Sequence, residues 1–479
     1  MRQVEFFAGF WRGTAIGVLA GAVVVATPTG LRAETTPLAP DVATQVTFAK
    51  HVAPIFQRKC QVCHRPGNIA PMSLVTYQDS RPWVRSIKMR VANREMPPWH
   101  LDKTVGIQEF LNDTSLSDHE IDTIVRWVDT GAPLGDPKDM PLPRQWPNDN
   151  RFQLEERLGP PDFIVKSKPW TMPAVAQDVF FRPVVDLALT EPRWIRAVET
   201  RPSLKGRRIA HHVSTYLHRL ESSEVIEAER AVRSGQASVD AVLAAAGRAS
   251  DPNEEVREMF TEWAQGKGGE IYPENTGKLV RPGEKVEFET HYHAVGEEIT
   301  DAIETAWWFY PKGVTPKYSV EFVPLGTNIG GALEIPPNTV TQHQGSYTLP
   351  APAILHNFQP HMHMRGRAFL MEAIYPDNRR EVINYVGHYD NNWHINYIYT
   401  EDAAPVFPKG TVLQITAWHD NTAANRNNPD PRQWVTKGPR TIDEMAHANT
   451  QIILITEEDY KRISEERKIS DRKKKSTQN

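Results

Sequence analysis

Residues 286–295 read VEFETHYHAV, and this stretch decides the class of fold that we predict. Its residues alternate, so that Val286, Phe288 and Tyr292 fall on one face of an extended chain. Such alternation is typical of a half-buried β-strand. Further short segments are rich in β-branched and aromatic residues: FIVKS at 163–167, TAWWFY at 305–310, YSVEFV at 318–323, TVLQITAW at 411–418 and TQIILI at 450–455. Together they predict an all-β region built as sandwiches.

Proline-rich joints and shifts in composition divide the chain into blocks. We place a linker at 141–160, because this part of the chain is rich in Pro, Asp and Trp. The strand-like segments follow it, and we divide them into a first half at 161–330 and a second half at 331–456. An Ala- and Glu-rich stretch from Ser222 to Ala246 predicts a helical insertion. The highly charged residues 457–479 predict a frayed, solvated tail.

The block before the linker, residues 42–140, is patterned for helices. Its last segment reads LSDHEIDTIVRWVDTGAP, in which Ser117 can act as an N-cap with Glu120 completing a capping box. Apolar side chains then recur at helical spacing, and Gly131 ends the pattern. The sequence therefore predicts a small all-α domain that closes with a helix.

Composition excludes several classes of protein. The chain has 479 residues, of which 40% are hydrophobic and 24% charged, a balance that is ordinary for a globular protein and excludes disorder, collagen and coiled coil as the main architecture. A formal net charge of -4 leaves no basic footprint, so we predict no nucleic-acid partner. The two cysteines of the chain are Cys60 and Cys63, which excludes a disulfide scaffold.

Residues 1–33 are predicted to be a signal peptide. Arg2 and Arg12 flank a polar start, a short apolar stretch follows, and cleavage after Ala33 fits the pattern. The apolar core of about 13 residues is shorter than the roughly 20 that span a bilayer, although an uncleaved anchor stays an alternative. No later stretch approaches about 18 consecutive apolar residues. We therefore predict no stable membrane span and a periplasmic or secreted location.

The segment Cys60-Gln-Val-Cys63-His64 is the attachment signature of c-type haem. Two thiols at this spacing can form thioethers to the haem vinyl groups, while the adjacent imidazole reaches the iron. The sequence therefore predicts one covalent haem c. Met96, in the Pro-flanked segment REMPPWH, is the predicted sixth ligand, since a thioether there gives a His/Met cytochrome. The competing sixth ligands are Met72, Met89 and His100.

Three groups of histidines stand apart from the rest. They are His211-His212, His291-Tyr-His293 and His361-Met-His363. Imidazoles in strand-like contexts with few thiols nearby suit copper or zinc. Residues two apart in a strand point to one face, so His361 and His363 can bind the same ion. Adjacent His211 and His212 point apart in a regular strand, and they need a bulge or a twist to share a metal.

The other histidines are expected to play supporting parts. His394 and His419 are expected to be structural or to orient a bound imidazole. Five more lack a partner at metal spacing and are expected on the surface or in the core: His218, His343, His356, His388 and His447.

The order of these motifs resembles that of a known family, the copper type II, ascorbate-dependent monooxygenases, which include peptidylglycine alpha-hydroxylating monooxygenase and dopamine beta-monooxygenase. The resemblance covers roughly residues 160–456. HH comes first, then a strand ending in HY, then HxH, then AWHDNTAANRNNPDP and finally TIDEM. This chain departs from the animal enzymes in two ways, because it lacks their disulfides and carries a haem domain.

The resemblance implies two copper sites, one in each half of the β-region. The ligands of the three-imidazole site are His211, His212 and His291. His293 stays open as the alternative to His291. The ligands of the second site, which are also the implied catalytic residues, are His361, His363 and Met445. A soft thioether beside two imidazoles favours Cu(I) and leaves an open position for O2.

The expected fold is therefore multidomain: a small all-α cytochrome c domain followed by two all-β, jelly-roll-like β-sandwich domains that bind copper. The resemblance implies a monooxygenase that inserts one oxygen atom into an aliphatic C–H bond, with its two coppers facing each other across a cleft. The expected partners are a small-molecule or peptide substrate and an external electron donor, ascorbate-like or a redox protein, while the fused haem is the expected donor to copper. The alternative is a non-catalytic copper-binding or electron-transfer cytochrome.

Overall fold

The computed structural model of the chain describes residues 45–68, 70–146, 150–220, 255–264, 267–326 and 333–477. The predicted signal peptide at 1–33 and the predicted insertion from Ser222 to Ala246 lie outside these residues. Contacts divide the chain after Gln45, and Val46–Asn479 forms one compact unit. Within its described residues this unit is mostly β-sheet with few helices, the β-rich class that the sequence predicts.

Six α-helices lie in the described residues: α1 (Ala53–Lys59), α2 (Tyr77–Ser80), α3 (Val84–Ala92), α4 (Asp118–Asp129), α5 (Glu155–Leu158) and α6 (Glu457–Thr477). Short π- or 3-10-helical turns lie at Phe48–Val52, Arg81–Trp83, Pro137–Asp139 and Gly206–Arg208. Among the described residues, no helix is both long enough and apolar enough to cross a membrane.

The strands of the first half are β1 (Phe163–Lys166), β2 (Trp170–Met172), β3 (Val179–Phe181), β4 (Val184–Asp186), β5 (Arg193–Arg201), β6 (Ala210–Leu220), β7 (Glu255–Ala264), β8 (Glu270–Ile271), β9 (Thr276–Val280), β10 (Lys285–Tyr292), β11 (Ile299–Asp301), β12 (Glu304–Phe309) and β13 (Tyr318–Leu325). Those of the second half are β14 (Glu334–Ile335), β15 (Val340–Thr348), β16 (Ala353–Leu355), β17 (Asn357–His361), β18 (Gly366–Ile374), β19 (Arg380–Val386), β20 (Tyr397–Ile398), β21 (Val406–Phe407), β22 (Val412–Asp420), β23 (Val435–Thr436) and β24 (His447–Leu454). Every segment that the sequence analysis quoted as strand-like contributes a strand.

The helices before the linker share a core of their own. Phe48, Phe56 and Trp127 are fully buried at its centre and meet ring against ring. The capping box of α4 is confirmed, because the Ser117 side chain accepts from the backbone N–H of Glu120 and the Glu120 carboxylate accepts from that of Ser117. The start of α4 is therefore fixed by its own sequence.

A connection between α3 and α4 leaves this helical core and packs into the second half of the β-region. Trp99, Leu101 and Phe110 are buried in the same core as the strands of that half. The Trp99 ring lies 4.8 Å from the ring of Tyr397, edge to face. Phe110 forms an isolated bridge with Tyr399. The helical block is thus anchored by aromatic packing to the half that lies farther from it in sequence.

One long sheet runs through both halves of the β-region. Its main path is β1-β12-β5-β9-β13-β24-β16-β21, with β8, β17 and β20 attached beside it. The two halves join where β13 pairs antiparallel with β24. A five-stranded sheet, β3-β10-β6-β7 with β4, shares a core with the first part of the long sheet. A four-stranded sheet, β15-β22-β18-β19, shares a second core with the other part.

The charged segment that begins at Glu457 is ordered, so the expectation of a frayed tail is wrong for its first turns. Helix α6 starts there, and Tyr460 and Ile463 pack against the core of the first half. The Arg462 guanidinium pairs with Glu466 one turn later at 3.1 Å. Charged residues dominate this segment, so its narrow apolar face was not recognisable from composition. That face is enough to hold the start of the helix against the β-region.

Candidate metal centre

A small pocket lies where the two halves of the β-region meet, and histidines from both halves line it. Its walls are His211, His212, His291, His361, Met362, His363, Asn391, His394 and Thr441. The cavity measures about 10 Å³, room for about one water molecule. The five histidines that the resemblance divides between two sites are all among these residues.

The two histidine sets touch, contrary to the expectation of a cleft between them. The ring centroids of His212 and His361 are 5.9 Å apart, with the rings nearly perpendicular. The shared sheet explains this closeness. Strand β17 pairs with β24, which itself pairs with β13 of the first half, so the end of β17 is held against that half.

His211, His212 and His291 form the first set. His212 lies opposite His291 in the β6–β10 pairing, and the register then skips His211. This bulge brings both adjacent histidines to one site, as the sequence analysis required. The centroids of His211 and His212 are 5.5 Å apart and lie 5.4 and 5.3 Å from that of His291. Ring nitrogens of all three lie within 4.8 Å of one another.

His291 is the member of the HYH motif that lines the pocket. Its Nε2 lies 3.1 Å from Asp178 Oδ2, and the Phe180 ring stacks on it at 4.4 Å. A carboxylate that holds one ring nitrogen fixes the imidazole and leaves Nδ1 for an ion. His293 follows the end of β10, where its backbone N–H donates to the carbonyl of Ile209, and it is not among the pocket-lining residues.

His361 and His363 form the second set at the end of β17. The strand stops at His361, so the two are not neighbours on a regular strand face as expected, yet their ring centroids are 5.3 Å apart. Nδ1 of His363 lies 3.1 Å from the carbonyl oxygen of Asp443. Nδ1–H therefore donates to that carbonyl, and Nε2 is the nitrogen left for an ion. The Tyr389 hydroxyl fixes the backbone of the intervening Met362, because it accepts from the Met362 N–H and donates to the Met362 carbonyl.

Glu444 holds the backbone around the second set. This carboxylate is fully buried, and it accepts from the backbone N–H groups of His363 at 2.9 Å and Arg365 at 2.6 Å. Burial raises its pKa to about 7, against the lowering effect of these donors and of the Arg365 charge. A buried acceptor with several donors fixes the loop in one conformation.

Met445, the implied thioether ligand, is half-buried next to Glu444. Its backbone N–H donates to Glu444 Oε2 at 3.3 Å, and its carbonyl accepts from His419 Nε2 at 3.1 Å. The pocket-lining residues that the structure describes do not include it. His419 therefore supports the Met445 backbone, in keeping with the supporting part that we expected for it.

His394 occupies the middle of the cluster, a position that sequence reasoning missed. Its ring centroid lies 4.6 Å from that of His361, 5.2 Å from that of His211 and 5.7 Å from that of His212. Nδ1 lies 3.7 Å from Oε1 of Glu262, and both side chains are 2% exposed. Glu262, His361 and His394 form a second group with ligand atoms within 4.8 Å of one another. An isolated histidine in DNNWHINYIY carries no spacing signal that could have revealed this.

His447 also has a partner, which the sequence analysis did not expect. It lies opposite His361 in the β17–β24 pairing, and the two rings stack with centroids 4.7 Å apart. Spacing along the chain cannot reveal a partner that comes from a neighbouring strand.

Burial favours the neutral imidazole in both sets of histidines. Burial, followed by the neighbouring histidine charges, lowers the pKa of His211 to about 2 and puts the pKa values of His212 and His361 well below the usual range. Burial lowers the pKa of His363 to about 4. Neutral imidazole is the form that binds metal.

Several buried ring nitrogens of the cluster have no hydrogen-bond partner among the described residues. They are Nδ1 of His211, His212 and His361, and both nitrogens of His394. Buried polar atoms nearly always have a hydrogen-bond partner, so five unpaired nitrogens in one cluster need an explanation. A bound metal ion supplies one, and the residues present fit such a group.

The CxxCH segment lies at the end of α1. Cys60 and Cys63 are half-buried free thiols, and burial raises the pKa of both, that of Cys60 to about 12. His64 Nδ1 lies 3.1 Å from the carbonyl oxygen of Met72. Donation to that carbonyl fixes the ring and leaves Nε2 for iron. The three residues of the motif therefore fit an attached haem.

The candidates for the sixth haem ligand differ in their surroundings. Met96 is half-buried, and its backbone N–H donates to the carbonyl of Arg90. Met89 is 51% exposed, which disfavours it. Met72 supports His64 through its carbonyl. His100 is placed against the β-region, where its backbone N–H donates to the Tyr397 hydroxyl at 3.3 Å.

Comparisons with known proteins give no information about this site. No family model matches the chain, and no curated protein matches it. Among solved structures, that of the infectious bursal disease virus Gx strain aligns with 61% of this chain, over 73% of its own length, with a TM-score of 0.15 and 8% identity. A likeness to procruciferin, an 11S globulin from Brassica napus, has a TM-score of 0.12 at 7% identity, over 65% of this chain and 86% of the other. Likenesses this weak carry no argument about fold or function.

Proposed function

We propose that the chain is an exported haem- and copper-containing monooxygenase, which inserts one atom of O2 into an aliphatic C–H bond. The observation that carries the proposal is the histidine pocket. It unites imidazoles from both halves of the β-region, and five of their buried nitrogens have no partner within the described residues. The sequence resemblance to the copper type II, ascorbate-dependent monooxygenases supports the choice of reaction.

The residues present fit copper. We assign one ion to His211, His212 and His291, and another to His361 and His363 together with Met445. When bound, copper supplies one-electron redox chemistry and activation of O2. The chain keeps the imidazoles neutral by burial and orients two of them through Asp178 and the Asp443 carbonyl. A movement of the Met445 side chain into the pocket is part of this proposal.

The helical block fits a c-type cytochrome domain with one covalent haem. We assign the thioether bonds to Cys60 and Cys63, the axial imidazole to His64 and the sixth ligand to Met96. The haem supplies one-electron transfer. The Trp99–Tyr397 contact ties this block to the half of the β-region that bears His361. We infer that the haem passes electrons to copper, and that an external donor, ascorbate-like or a redox protein, reduces the haem in the periplasm or outside the cell.

A small-molecule or peptide substrate has to approach the pocket from outside. A cavity of about 10 Å³ is too small for any organic substrate, whereas ligand pockets usually measure about 300 Å³ or more. Asn391 and Thr441 are the polar residues of its wall that are not histidines. We infer that the substrate binds at this side of the pocket and that local opening precedes reaction.

The small cavity also favours a second candidate function, a non-catalytic electron-transfer or copper-binding cytochrome. Such a protein needs a closed metal site and no room for a substrate. The two candidates make different predictions for O2, because the catalytic protein consumes it in proportion to substrate and the carrier does not.

Metal analysis combined with O2 uptake tests the proposal. The full chain, matured with haem and loaded with copper, should contain two coppers and one haem iron. After reduction by ascorbate it should consume O2 when candidate C–H substrates, peptides or small aliphatic amines, are added, with one product hydroxyl formed for each O2. His363→Ala should abolish this uptake, and the exposed control His388→Ala should retain it. Copper that stays bound but inert to O2 across the substrate panel would favour the carrier.

A further inference from the structure

We propose that His394 is a metal ligand, set between the two copper positions and backed by Glu262, so that the histidine cluster holds its ions as one close pair. This inference rests on the proposed copper sites but not on the proposed reaction. It adds a ligand that the sequence resemblance does not supply, and it makes the two copper sites direct neighbours within one centre.

His394 lies next to both sets of histidines. His394 contacts rings of both sets, with centroids 4.6 Å from His361 and 5.2 Å from His211. Its ring is nearly perpendicular to both, at 84° and 85°. A ring nitrogen of His361, a ring nitrogen of His394 and a carboxylate oxygen of Glu262 lie within 4.8 Å of one another. Simple packing in an apolar core does not require the polar atoms of different side chains to be so close. Modest movements would bring them to one ion.

The hydrogen bonding of the His394 ring also indicates a ligand. Both nitrogens of His394 are buried without a hydrogen-bond partner among the described residues. Leaving a buried polar group unpaired costs free energy, because the group has lost its hydrogen bonds to water. A structural histidine normally avoids that cost through at least one hydrogen bond. Coordination of an ion would pair one of the two nitrogens and leave the other to be paired by a neighbouring acceptor.

The carboxylate of Glu262 lies behind the His394 ring. Glu262 Oε2 accepts from Gln359 Nε2 at 2.7 Å and from Asn449 Nδ2 at 2.9 Å, which fixes the side chain. Its other oxygen faces His394 Nδ1 at 3.7 Å, slightly beyond a hydrogen bond. A small shift of the ring would complete a carboxylate–histidine–metal arrangement, in which Nδ1–H donates to Glu262 and Nε2 binds the ion.

The two sets of histidines contact each other directly. His212 and His361 belong to different sets, and their centroids are 5.9 Å apart. His394 contacts both of these rings. Ions bound by such neighbouring rings lie close enough for their unpaired electrons to interact strongly, an interaction that weakens steeply with the distance between ions.

Copper binding and electron paramagnetic resonance test the proposal without any turnover. The full-length, haem-loaded chain is titrated with Cu(II), the bound copper is counted by mass spectrometry, and the Cu(II) signal is integrated. The expected wild-type result is two coppers with a signal smaller than that of two isolated ions, or with a half-field line. In His394→Ala, one copper should bind at least about 10-fold more weakly and the remaining signal should be that of an isolated ion.

His388→Ala is the matched control, because His388 is exposed and lies six residues before His394 on the same connection. It should bind copper like the wild type. The proposal is overturned if His394→Ala binds both coppers with unchanged affinity and an unchanged signal, or if the wild type gives two isolated ions.

A further variant keeps the proposal testable if His394→Ala does not fold. Glu262→Gln preserves the shape of the side chain while removing its charge. It should change the nitrogen hyperfine pattern of the copper signal and weaken one copper, and an unaltered pattern and affinity would then decide against the proposal. Failure of the proposed function would give a different result: copper would bind as this close pair, but the protein would consume no O2 with any substrate.

Discussion

At the scale of single residues, the candidate metal centre depends on buried polar groups whose partners are backbone atoms. Glu444 illustrates this, because its two oxygens hold the N–H groups of His363, Arg365 and Met445. The buried guanidinium of Arg365 donates in turn to Asn421 and to the carbonyl of Ile442. The loop that carries His363 is therefore fixed by acceptors that lie between 56 and 81 residues later in the sequence.

Glu444→Gln is predicted to loosen this loop. The amide replaces one acceptor oxygen by an NH2 group, which then faces a backbone donor, and a buried donor without an acceptor costs about 1–3 kcal/mol. We expect a loss of that size in the free energy of unfolding, measured in urea, together with weaker copper binding. Glu465→Gln is the control, since that carboxylate is exposed and pairs at the surface with Lys468. Equal stability of the two variants would contradict the role of Glu444.

Asp178→Asn is predicted to weaken copper binding without unfolding the chain. Asp178 is 42% exposed and orients His291 through Nε2. Removal of a partner that orients a metal-binding histidine typically costs about 10–100-fold in affinity. A copper titration should show this loss, whereas Asp186→Asn, at an exposed position of β4, should bind copper normally. Unchanged affinity in Asp178→Asn would place His291 outside the metal site.

His356 is predicted to make the apo-protein sensitive to acid. Burial lowers its pKa to about 4 from 6.5, although Glu270 acts in the opposite direction. Between these values the unfolded chain binds a proton that the folded chain does not, so stability is full above pH 6.5 and falls towards pH 4. At pH 5 the loss from this residue is about 2 kcal/mol.

Urea unfolding of the chelator-treated protein at pH 7 and pH 5 measures this loss. His356→Leu should reduce the difference in stability between the two pH values by about that amount. His388→Leu should leave the difference as it is, because that side chain is exposed. If His356→Leu loses as much stability between pH 7 and pH 5 as the wild type does, other groups account for the acid sensitivity.

The residues of the site were predictable only where spacing along the chain carried the information. His211, His212, His291, His361 and His363 occur in pairs or in HxH-like motifs, and the pocket contains all of them. His394 and His447 reach the cluster by strand pairing and loop packing, which no local pattern encodes. Glu262 and Glu444 carry no signal in the sequence, because a buried carboxylate is recognisable only through its partners.

At the scale of elements, a few irregular features build the site. The bulge at His211 turns two adjacent histidines to one side, and the end of β17 at His361 releases the next residues into a loop. The bulge could be predicted from the sequence, because adjacent residues cannot otherwise share a face. The end of β17 could not, because a strand's end depends on where its partner strand stops. Strand identity was predictable from alternation, whereas strand partners were not.

The connection between α3 and α4 is predicted to be a structural anchor. Trp99 is 7% exposed and contacts Phe110 and Tyr397 within the core of the second half. Truncation of a buried aromatic residue costs about 3–5 kcal/mol. Trp99→Ala should lose stability on that scale in urea unfolding followed by far-ultraviolet circular dichroism. Trp83→Ala, at a position that is 43% exposed, should lose little. Similar small losses in both variants would show that the connection is not anchored.

At the scale of the whole molecule, the long sheet makes the two halves of the β-region one unit. Strands β13 and β24 join them over six residue pairs, and the pocket lies beside this seam. An ion in the pocket would contact both halves at once, so its binding energy would add to the stability of the unit as a whole. The halves predicted from composition at 161–330 and 331–456 are therefore expected to unfold together when metal is bound.

Copper is accordingly predicted to raise the midpoint of thermal unfolding, and chelation to lower it. An ion present at about 100 times its dissociation constant stabilises the folded state by about 2.7 kcal/mol. For a chain of this size that is a shift of a few degrees, measurable by calorimetry of the haem-loaded protein with copper and with a chelator.

His212→Ala and His363→Ala remove one ligand from each set, and each should reduce the shift, while His388→Ala should show the full shift. If copper raises the midpoint equally in all three variants, the stabilising ion binds elsewhere on the chain. If both ligand variants lose the shift together, the two sets act as one centre, which agrees with the contact between His212 and His361.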